Sequence, residues 1–516
     1  MRTPSWWALG STAALAVGFA LVLSPDGIGR QGSGAGPPSR DAVAEGQTPR
    51  DAPVERPEQQ KSAHDRSGAF AAKAARPVSG ALANQPDKGG NPGFDFYRDP
   101  LNSKQPMTTF EAVMAADVAA KSTVMADQRA LLEQRYVLAP KLDPEAKMSR
   151  GKPLVVGPTA RLREGMDWDR LASMSPEQIR SAGLFPYPPL PHPKQATGGQ
   201  VFPRMQLAMF PRLERFDIDH DLPEAFLPEF PPAMFLQNRP ELGDVSRGEV
   251  VSINNYYRLF KDFLTPVQLD GLRLLLTPFP QEEFNPTDDR KSAQASLGVT
   301  CLDCHINGHT TGQFHLSPDV RPQERRMRLD TVSLRGLYNQ QIHGSKRSLR
   351  SVEDFTEFEF RTAYFNGDAI HAMKKGITIF NRIQVSHMAQ FQNMLDFPPA
   401  PKLDPTTSRL DPSLATEAEK RGEQVFFGKG QCAACHASPV YLDDKMHDLH
   451  LERFTQEPGD GPIKTFTLRG IKDSPPYLHD GRCLTLEDTT EFFNLVLRLG
   501  LSPQEKSDLV TFMRAL

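Results

Sequence analysis

The stretch "GVTCLDCHINGHTTGQFH", residues 298–315, contains the motif C-x-x-C-H, and "GKGQCAACHASP", residues 428–439, contains it a second time. The motif residues, in chain order, are Cys301, Cys304, His305, Cys432, Cys435 and His436. The chain has 5 cysteines in total, so all but one belong to these two motifs. The chemistry of the chain should therefore follow from what C-x-x-C-H binds.

Three kinds of site use this spacing. A structural zinc site needs four ligands close together, but the two cysteine pairs are separated by 127 intervening residues, from 305 to 431. A thioredoxin-like redox motif needs a βαβ context that neither copy shows. Covalent haem c needs two thiols for the vinyl groups and an adjacent histidine as proximal iron ligand. The repeated motif therefore predicts two covalent haem c groups, with His305 and His436 as proximal ligands.

The composition places this chemistry in an exported protein. With 60 basic and 63 acidic residues among 516, the charge balance gives no reason to expect a nucleic-acid partner. Residues 1–25 combine one arginine with an apolar run, which indicates a signal peptide or an uncleaved signal-anchor; a buried cytosolic helix is the alternative. Since haem c attachment occurs outside the cytoplasm, we expect a periplasmic protein, anchored to the inner membrane if the leader is retained.

Beyond the leader, the sequence suggests four segments. Residues 26–92 are rich in Gly, Pro, Ser and charge and are expected to be a disordered linker. Residues 93–245 combine proline-dense loops with one long helical pattern and no catalytic motif, so they are expected to cover the sites downstream. Residues 246–405 and 406–516 each contain one C-x-x-C-H motif and should form the first and second haem domains.

Helical patterns dominate both haem segments. Within the covering region, Phe110, Val113, Met114 and Val118 share one face of the long helix. In the second haem domain, Gly422 permits a close helix crossing, as in small haem domains, although a simple helical hairpin has the same pattern. The expected fold is mainly α, with two cytochrome c-like haem domains in tandem behind a proline-rich N-terminal extension.

The stretch "KTFTLRGIKDSPPYLHDGRCLTLEDTTEFF", residues 464–493, resembles the signature of the bacterial dihaem cytochrome c peroxidase and MauG superfamily. The resemblance extends from the segment before the first haem motif to the C-terminus and includes both motifs in the same order. Long N-terminal regions occur in divergent branches of this superfamily, namely the RoxA-like rubber oxygenases and a Burkholderia peroxidase type labelled "cytochrome B6".

The resemblance implies a division of labour between the two haems. The haem at His305 is expected to react with peroxide, and the haem at His436 to relay electrons. A calcium ion between the domains is implied, with ligands at Asp330 and the backbone carbonyls of Ser474 and Pro476; alternatively, Asp330 only caps a turn.

Two departures from the family affect the predicted catalytic residues. Ile342 stands where the family has a tryptophan between the haems, so Tyr477 is the first candidate for an aromatic bridge, unless it only packs against a haem edge. The acid–base glutamate is expected at Glu359, or at Glu357 as the next choice. Glu353 and Asp354 lie on the same segment, and such acidic residues often only face water.

A third departure concerns the second haem. Phe493 occupies the position that supplies Met or Tyr to the iron, and it cannot bind iron. We expect His479 to replace it. Other donors in the same domain are Met446, His447, His450 and Met513. His309 and His315 could bind the first iron reversibly, but a loop role fits their spacing better, and Cys483 should be a buried packing residue.

Together these features predict a periplasmic dihaem peroxidase that reduces hydrogen peroxide to water through high-valent haem iron. A small cytochrome c or a cupredoxin would supply the electrons. Two alternatives remain: an oxygenase or protein-modifying enzyme of the RoxA-like or MauG-like type, and a non-enzymatic electron-transfer cytochrome with both irons fully ligated.

Overall fold

The computed structural model describes most of one compact unit that runs from Ala83 to Leu516. The described residues are 110–190, 200–211, 213, 217–219, 222–278, 299–316, 328–359, 380–457 and 459–516. The predicted leader and linker, residues 1–25 and 26–92, lie outside them. In the part of the chain that the structure describes, no helix is both long enough and apolar enough to cross a bilayer.

The described fold is rich in helices and poor in strands, which agrees with the predicted mainly α class. The α-helices are α1 (Phe110–Arg135), α2 (Trp168–Ser173), α3 (Pro176–Ala182), α4 (Arg204–Met209), α5 (Tyr256–Phe260), α6 (Pro266–Leu275), α7 (Cys301–Cys304), α8 (Val352–Phe358), α9 (Arg382–Gln392), α10 (Glu417–Phe427), α11 (Leu486–Val496) and α12 (Pro503–Met513). Capping boxes at Thr265, Asn381, Thr416 and Ser502 explain where α6, α9, α10 and α12 begin.

The strands are short and form three small sheets. They are β1 (Leu142–Lys147), β2 (Pro153–Val155), β3 (Gln200–Phe202), β4 (Asp217–Asp219), β5 (Phe314–Leu316), β6 (Arg328–Asp330), β7 (Met446–His447) and β8 (Ile463–Lys464). The order β4-β3-β5-β6 makes one sheet, in which β3 and β4 are parallel and the other pairs antiparallel; β1 pairs with β2 and β7 with β8.

The long helix of the covering region is present, and its C-terminal part packs against the core. Leu132 is fully buried and Gln128 is nearly so, whereas Val118, nearer the start of the helix, is 60% exposed; the side chains of Phe110, Val113 and Met114, the other residues of the predicted face, lie outside the described ones. The helix leads into Tyr136, which is buried in the same core as residues from Leu410 to Leu516.

Two helix pairs cross at glycines: α6 crosses α9, and α10 crosses α12. A Cβ atom on Gly422 of α10 would lie 2.0 Å from the carbonyl oxygen of Asp508 on α12. The same 2.0 Å separates a Cβ on Gly271 of α6 from the carbonyl oxygen of His387 on α9. The close crossing predicted at Gly422 is thus confirmed, and it has a counterpart in the preceding half of the chain.

The same turn-and-helix arrangement occurs twice in the chain. The two copies correspond at a constant offset in residue number, which matches residue 334 of the first copy with residue 468 of the second. Residues 328–359, the first repeat, and residues 462–493, the second repeat, align without gaps. Each contains Leu-Arg-Gly, a 3₁₀ helix, an isolated bridge and an α-helix. The matching features are Leu337–Asn339 with Ile471–Asp473, the bridge His343–Leu349 with Tyr477–Cys483, and α8 with α11.

Candidate functional site

The first C-x-x-C-H motif holds its histidine in a defined orientation. Cys301 and Cys304 lie on the single turn α7, so both thiols project to one side of the turn. Nδ1 of His305 hydrogen-bonds to the carbonyl oxygen of Val332 (2.9 Å), and burial lowers the pKa of His305 to about 4. A neutral imidazole with Nδ1 bonded to the backbone leaves Nε2 available for a metal.

The second motif repeats this arrangement. Cys432 begins a 3₁₀ turn, and Nδ1 of His436 lies 3.0 Å from the carbonyl oxygen of Tyr441. Burial lowers the pKa of His436, while the hydrogen bonds of its ring to the backbone at Tyr441 and Phe466 raise it. Phe466 is the counterpart of Val332 in the second repeat, so equivalent residues lie beside both histidines.

The donor set fits haem c at both motifs. None of the five cysteines, all within described residues, forms a disulfide, and burial raises the pKa of Cys301 and of Cys432 to about 12. The thiols of Cys301 and Cys432 are therefore protonated, and each motif places two thiols beside a neutral histidine whose Nδ1 is already bonded. A haem c group needs this combination of two thiols and one oriented imidazole.

The two candidate acid–base residues lie in different surroundings. Glu357 is held by an ion pair with Arg382, a side chain that is 62% exposed. Glu359 is half-buried, and after burial its charge is the largest contribution to the raised pKa of Cys301. Only Glu359 is thus placed electrostatically beside the first motif. Its counterpart in the second repeat is Phe493, which packs on Phe492 with ring centroids 5.2 Å apart.

His479 takes part in a charged cluster. Its Nε2 lies 2.7 Å from Oδ2 of Asp460, and Asp480 and Arg482 form an ion pair beside it. Lys346 of the first repeat donates to the carbonyl oxygen of Asp460 (2.5 Å). His479 could therefore bind iron through Nε2 only if Asp460 moved away, and its role as a ligand stays a prediction.

Tyr477 is buried in the core, 6% exposed. Burial raises its pKa well above the usual range, so the phenol is neutral. Its counterpart in the first repeat is His343, also buried, with a pKa lowered by burial to about 4. A neutral aromatic ring thus occupies the equivalent position in both repeats, and a bridging role for Tyr477 remains a prediction.

The predicted calcium ligands lie on segments that contact each other. The backbone N–H of Asp330 donates to the carbonyl oxygen of His479 (2.9 Å), which lies three residues after Pro476 in the segment that begins with Ser474. Oδ1 of Asp330 is buried without a hydrogen-bond partner, and burial raises the pKa of the carboxyl well above its usual value. An unpartnered buried carboxylate oxygen fits a hard cation such as calcium.

A buried polar network connects the two repeats. His309 contacts Oγ of Ser333 through Nδ1 (2.7 Å) and the carbonyl oxygen of Asp473 through Nε2 (3.0 Å). Arg335 forms an ion pair with Asp473 (2.9 Å), and Ser149 of the covering region donates to the same carboxylate. Both ring nitrogens of His309 are thus hydrogen-bonded, which agrees with the loop role that its distance along the chain from the first motif favoured.

The remaining donors are placed as follows. His315 lies on β5, with Nδ1 3.3 Å from Oγ1 of Thr331. His447 is bonded to Asp443 (2.8 Å), and His450 is exposed. Met513 faces the core, where Cys483 is also fully buried, as predicted for both. Met446 is half-buried on β7.

Sequence reasoning missed three residues at the contact between the repeats: Arg335, Asp473 and Lys464. The signal that could have found them is the gapless alignment of the two repeats, which equates Leu-Arg-Gly at 334–336 with Leu-Arg-Gly at 468–470. None of the three belongs to a C-x-x-C-H motif: Arg335 follows the first motif, and Lys464 and Asp473 follow the second.

No family model matches the chain. Among curated proteins, the cytochrome-c peroxidase IdrP2 of Denitromonas iodatirespirans is 28% identical, with a match that covers 20% of this chain and 41% of that protein. The methylamine utilization protein MauG of Methylorubrum extorquens is 27% identical and is matched over 39% of this chain and 56% of its own length. The chain thus spans between two fifths and somewhat over half of these relatives.

These relatives confirm the resemblance found in residues 464–493: the chain is similar, at low identity and over part of its length, to proteins of the dihaem cytochrome c peroxidase and MauG superfamily. Among solved structures, a MauG-like protein associated with microbial copper homeostasis has a TM-score of 0.32 at 20% identity, covering 48% of this chain and 87% of its own. Hydrazine synthase of Kuenenia stuttgartiensis has a TM-score of 0.33 at 18% identity, covering 52% and 94%.

Proposed function

We propose that the chain is an exported dihaem c-type peroxidase that reduces hydrogen peroxide to water. The observation that carries the proposal is a difference between the two corresponding sites. Each motif presents two thiols and an oriented histidine, but the first repeat ends in Glu359 and the second in Phe493. A carboxylate can hold and transfer a proton, whereas a phenyl ring cannot, so the two sites are suited to different tasks.

Bound haem would supply the redox chemistry, and the chain would supply ligands, proton transfer and orientation. His305 and His436 would bind the two irons through Nε2. Glu359 would accept a proton from peroxide and return it to the departing oxygen, so that peroxide, two electrons and two protons give two waters. Electrons would enter at the second haem from a small cytochrome c or a cupredoxin. Calcium at Asp330, Ser474 and Pro476 is part of the same proposal.

The experiment has two stages. Purified holoprotein should contain two haems by the pyridine haemochrome assay, and acid–acetone should leave the colour on the polypeptide. Peroxide consumption with a reduced donor should then fall by about 10²-fold or more in Glu359→Gln and much less in Glu357→Gln, which serves as the matched control on the same segment. A colourless zinc protein, or full activity in Glu359→Gln, would contradict the proposal.

The similarity to MauG supports a second candidate, a protein-modifying enzyme or oxygenase on the same scaffold. It would have the same two haems and the same need for Glu359, but would turn over no peroxide with small donors. Oxygen-dependent cleavage of polyisoprene, or peroxide-dependent oxidation of a protein substrate, would favour this candidate. Failure of all of these activities with both irons six-coordinate would favour an electron-transfer cytochrome.

A further inference from the structure

The positive charge of Lys464 lies in an unusual environment for a lysine. The residue ends β8 and is only 3% exposed, although lysine is among the residues least often buried. Its ammonium donates to the carbonyl oxygen of Gln340 (2.5 Å) and lies 5.6 Å from the ring of Phe466. Its backbone N–H donates to the carbonyl oxygen of Ser345 (2.9 Å). Lys464 therefore binds the first repeat through both its side chain and its backbone.

The counterpart of Lys464 in the first repeat is Asp330, and the contacts of the two are reciprocal. The N–H of Asp330 donates to His479, and the N–H of Lys464 donates to Ser345, which is the counterpart of His479. The two repeats thus contact each other through equivalent backbone groups in both directions. Only the charge of the side chain differs.

This correspondence extends to the carbonyl groups. Gln340, which accepts from the Lys464 ammonium, is the counterpart of Ser474, whose carbonyl is a predicted calcium ligand. At one position a carboxylate and a carbonyl are predicted to share a divalent cation. At the equivalent position, the ammonium of Lys464 contacts the carbonyl oxygen of Gln340.

Lys464 also has neighbours in both repeats. The backbone at Phe466, two residues further on, hydrogen-bonds to His436. In the first repeat, the positive charge of Lys464 adds to the effect of burial on His343. The other charges near the ammonium, Asp444 and Arg347, act in opposite directions on it.

We propose that Lys464 is a positioning residue for electron transfer between the two haem sites: a cation built into the chain that joins the repeats where their other contact is predicted to use calcium. The inference rests on the proposed two haems. A fixed positive charge near a haem favours the reduced iron, which carries one positive charge less. Lys464 should therefore raise the reduction potential of the nearer haem, the one attached at Cys432 and Cys435.

The test uses the holoprotein with Lys464→Met, Lys464→Arg and the control Lys261→Met, which removes the same charge from a side chain that is 45% exposed. In a spectroscopic redox titration, Lys464→Met should lower the potential of the second haem more than that of the first. Lys464→Arg and Lys261→Met should leave both close to wild type. Hydrogen exchange should also show faster exchange of the Lys464 amide in Lys464→Met only.

Unchanged potentials together with unchanged amide protection in Lys464→Met would overturn the inference. If Lys464→Met does not fold, Lys464→Arg decides, because it keeps the positive charge. A clear shift of the second haem's potential in Lys464→Arg would show that charge is not what Lys464 provides. Both readouts are independent of turnover. An inactive protein with two haems would contradict the proposed peroxidase while leaving the role of Lys464 open to measurement by the same titration.

Discussion

Arg335 and Asp473 form an ion pair that joins the two repeats within the protein interior. Their side chains are 5% and 2% exposed, and Nη1 of Arg335 lies 2.9 Å from Oδ2 of Asp473. The same carboxylate accepts from Ser149, and Nη2 of Arg335 donates to the carbonyl oxygen of Ala233 (2.6 Å). One buried pair thus holds the covering region and both repeats together.

Breaking this pair should be costly. Arg335→Met leaves the Asp473 carboxylate buried without its cation, and removal of one partner of a buried pair typically costs about 3–5 kcal/mol. Denaturant unfolding of the holoprotein measures the loss. Arg258→Met is the control, since its pair with Glu249 is exposed and should be worth less than about 1 kcal/mol. Equal effects of the two substitutions would contradict the assigned importance of the buried pair.

The two glycine crossings give a second prediction. Gly422→Ala would place a methyl group 2.0 Å from the carbonyl oxygen of Asp508, and Phe512 also lies within 2.8 Å. The carbonyl oxygen of Asp508 belongs to the backbone and cannot rotate away as a side chain could, so α10 and α12 must move apart. This should lower the free energy of unfolding by about 1–3 kcal/mol or more. Gly271→Ala should behave alike. Thermal unfolding tests this, with Gln424→Ala on the exposed side of α10 as the control that should change little.

Acid should destabilise the fold partly through His309. Burial lowers the pKa of His309 to about 3 from an ordinary value of 6.5, so the unfolded chain binds this proton first as the pH falls. Stability contributed by the neutral ring is thus present above about pH 6.5 and is lost progressively towards pH 3. A pKa difference of one corresponds to about 1.4 kcal/mol.

The measurement is the free energy of unfolding at several pH values between 7 and 4. His309→Gln loses hydrogen bonds to Ser333 and Asp473 and should be less stable at pH 7, but its stability should fall less steeply with acid. His450→Gln, at an exposed site, should keep the slope of the wild type. An equally steep slope in His309→Gln would show that other groups dominate the acid response.

The proposed calcium site should depend on Asp330. Its Oδ1 is buried without a partner, so a bound divalent cation should raise the unfolding temperature, and a chelator should lower it. In Asp330→Asn the dependence on calcium should largely disappear. Asp262→Asn, at a side chain that is 77% exposed, should retain it. Isothermal titration with calcium would detect the site directly, and equal affinity in both variants would place the cation elsewhere.

Local signals in the sequence were sufficient for the helix starts, but not for the contact between the repeats. Thr416 and Ser502 specify helix starts through their own hydrogen bonds, so they are readable from neighbouring residues. Lys464 and Asp473 depend on partners more than 100 residues away, and a lysine or aspartate in isolation normally predicts an exposed side chain. Only the alignment of one repeat on the other reveals them.

The last prediction concerns the distal side of the second haem. Phe493 is the counterpart of Glu359, so the side chain at position 493 should determine whether α11 supplies a ligand. Phe493→Met should place a thioether there and produce a His/Met haem with a higher reduction potential and the thioether-to-iron charge-transfer band of such haems. Phe492→Met, one residue earlier and fully buried in the core, should not.

His479 is the predicted ligand in the natural protein, and its ring is held by Asp460 at 2.7 Å. If His479 binds the second iron, Asp460→Asn should leave the low-spin electron paramagnetic resonance signal in place, whereas His479→Ala should remove it. If His479 only anchors the Asp460 loop, both variants should retain the signal and lose stability together. In that case another side chain keeps the second iron low-spin, and Phe493→Met should gain its new band only by displacing that side chain.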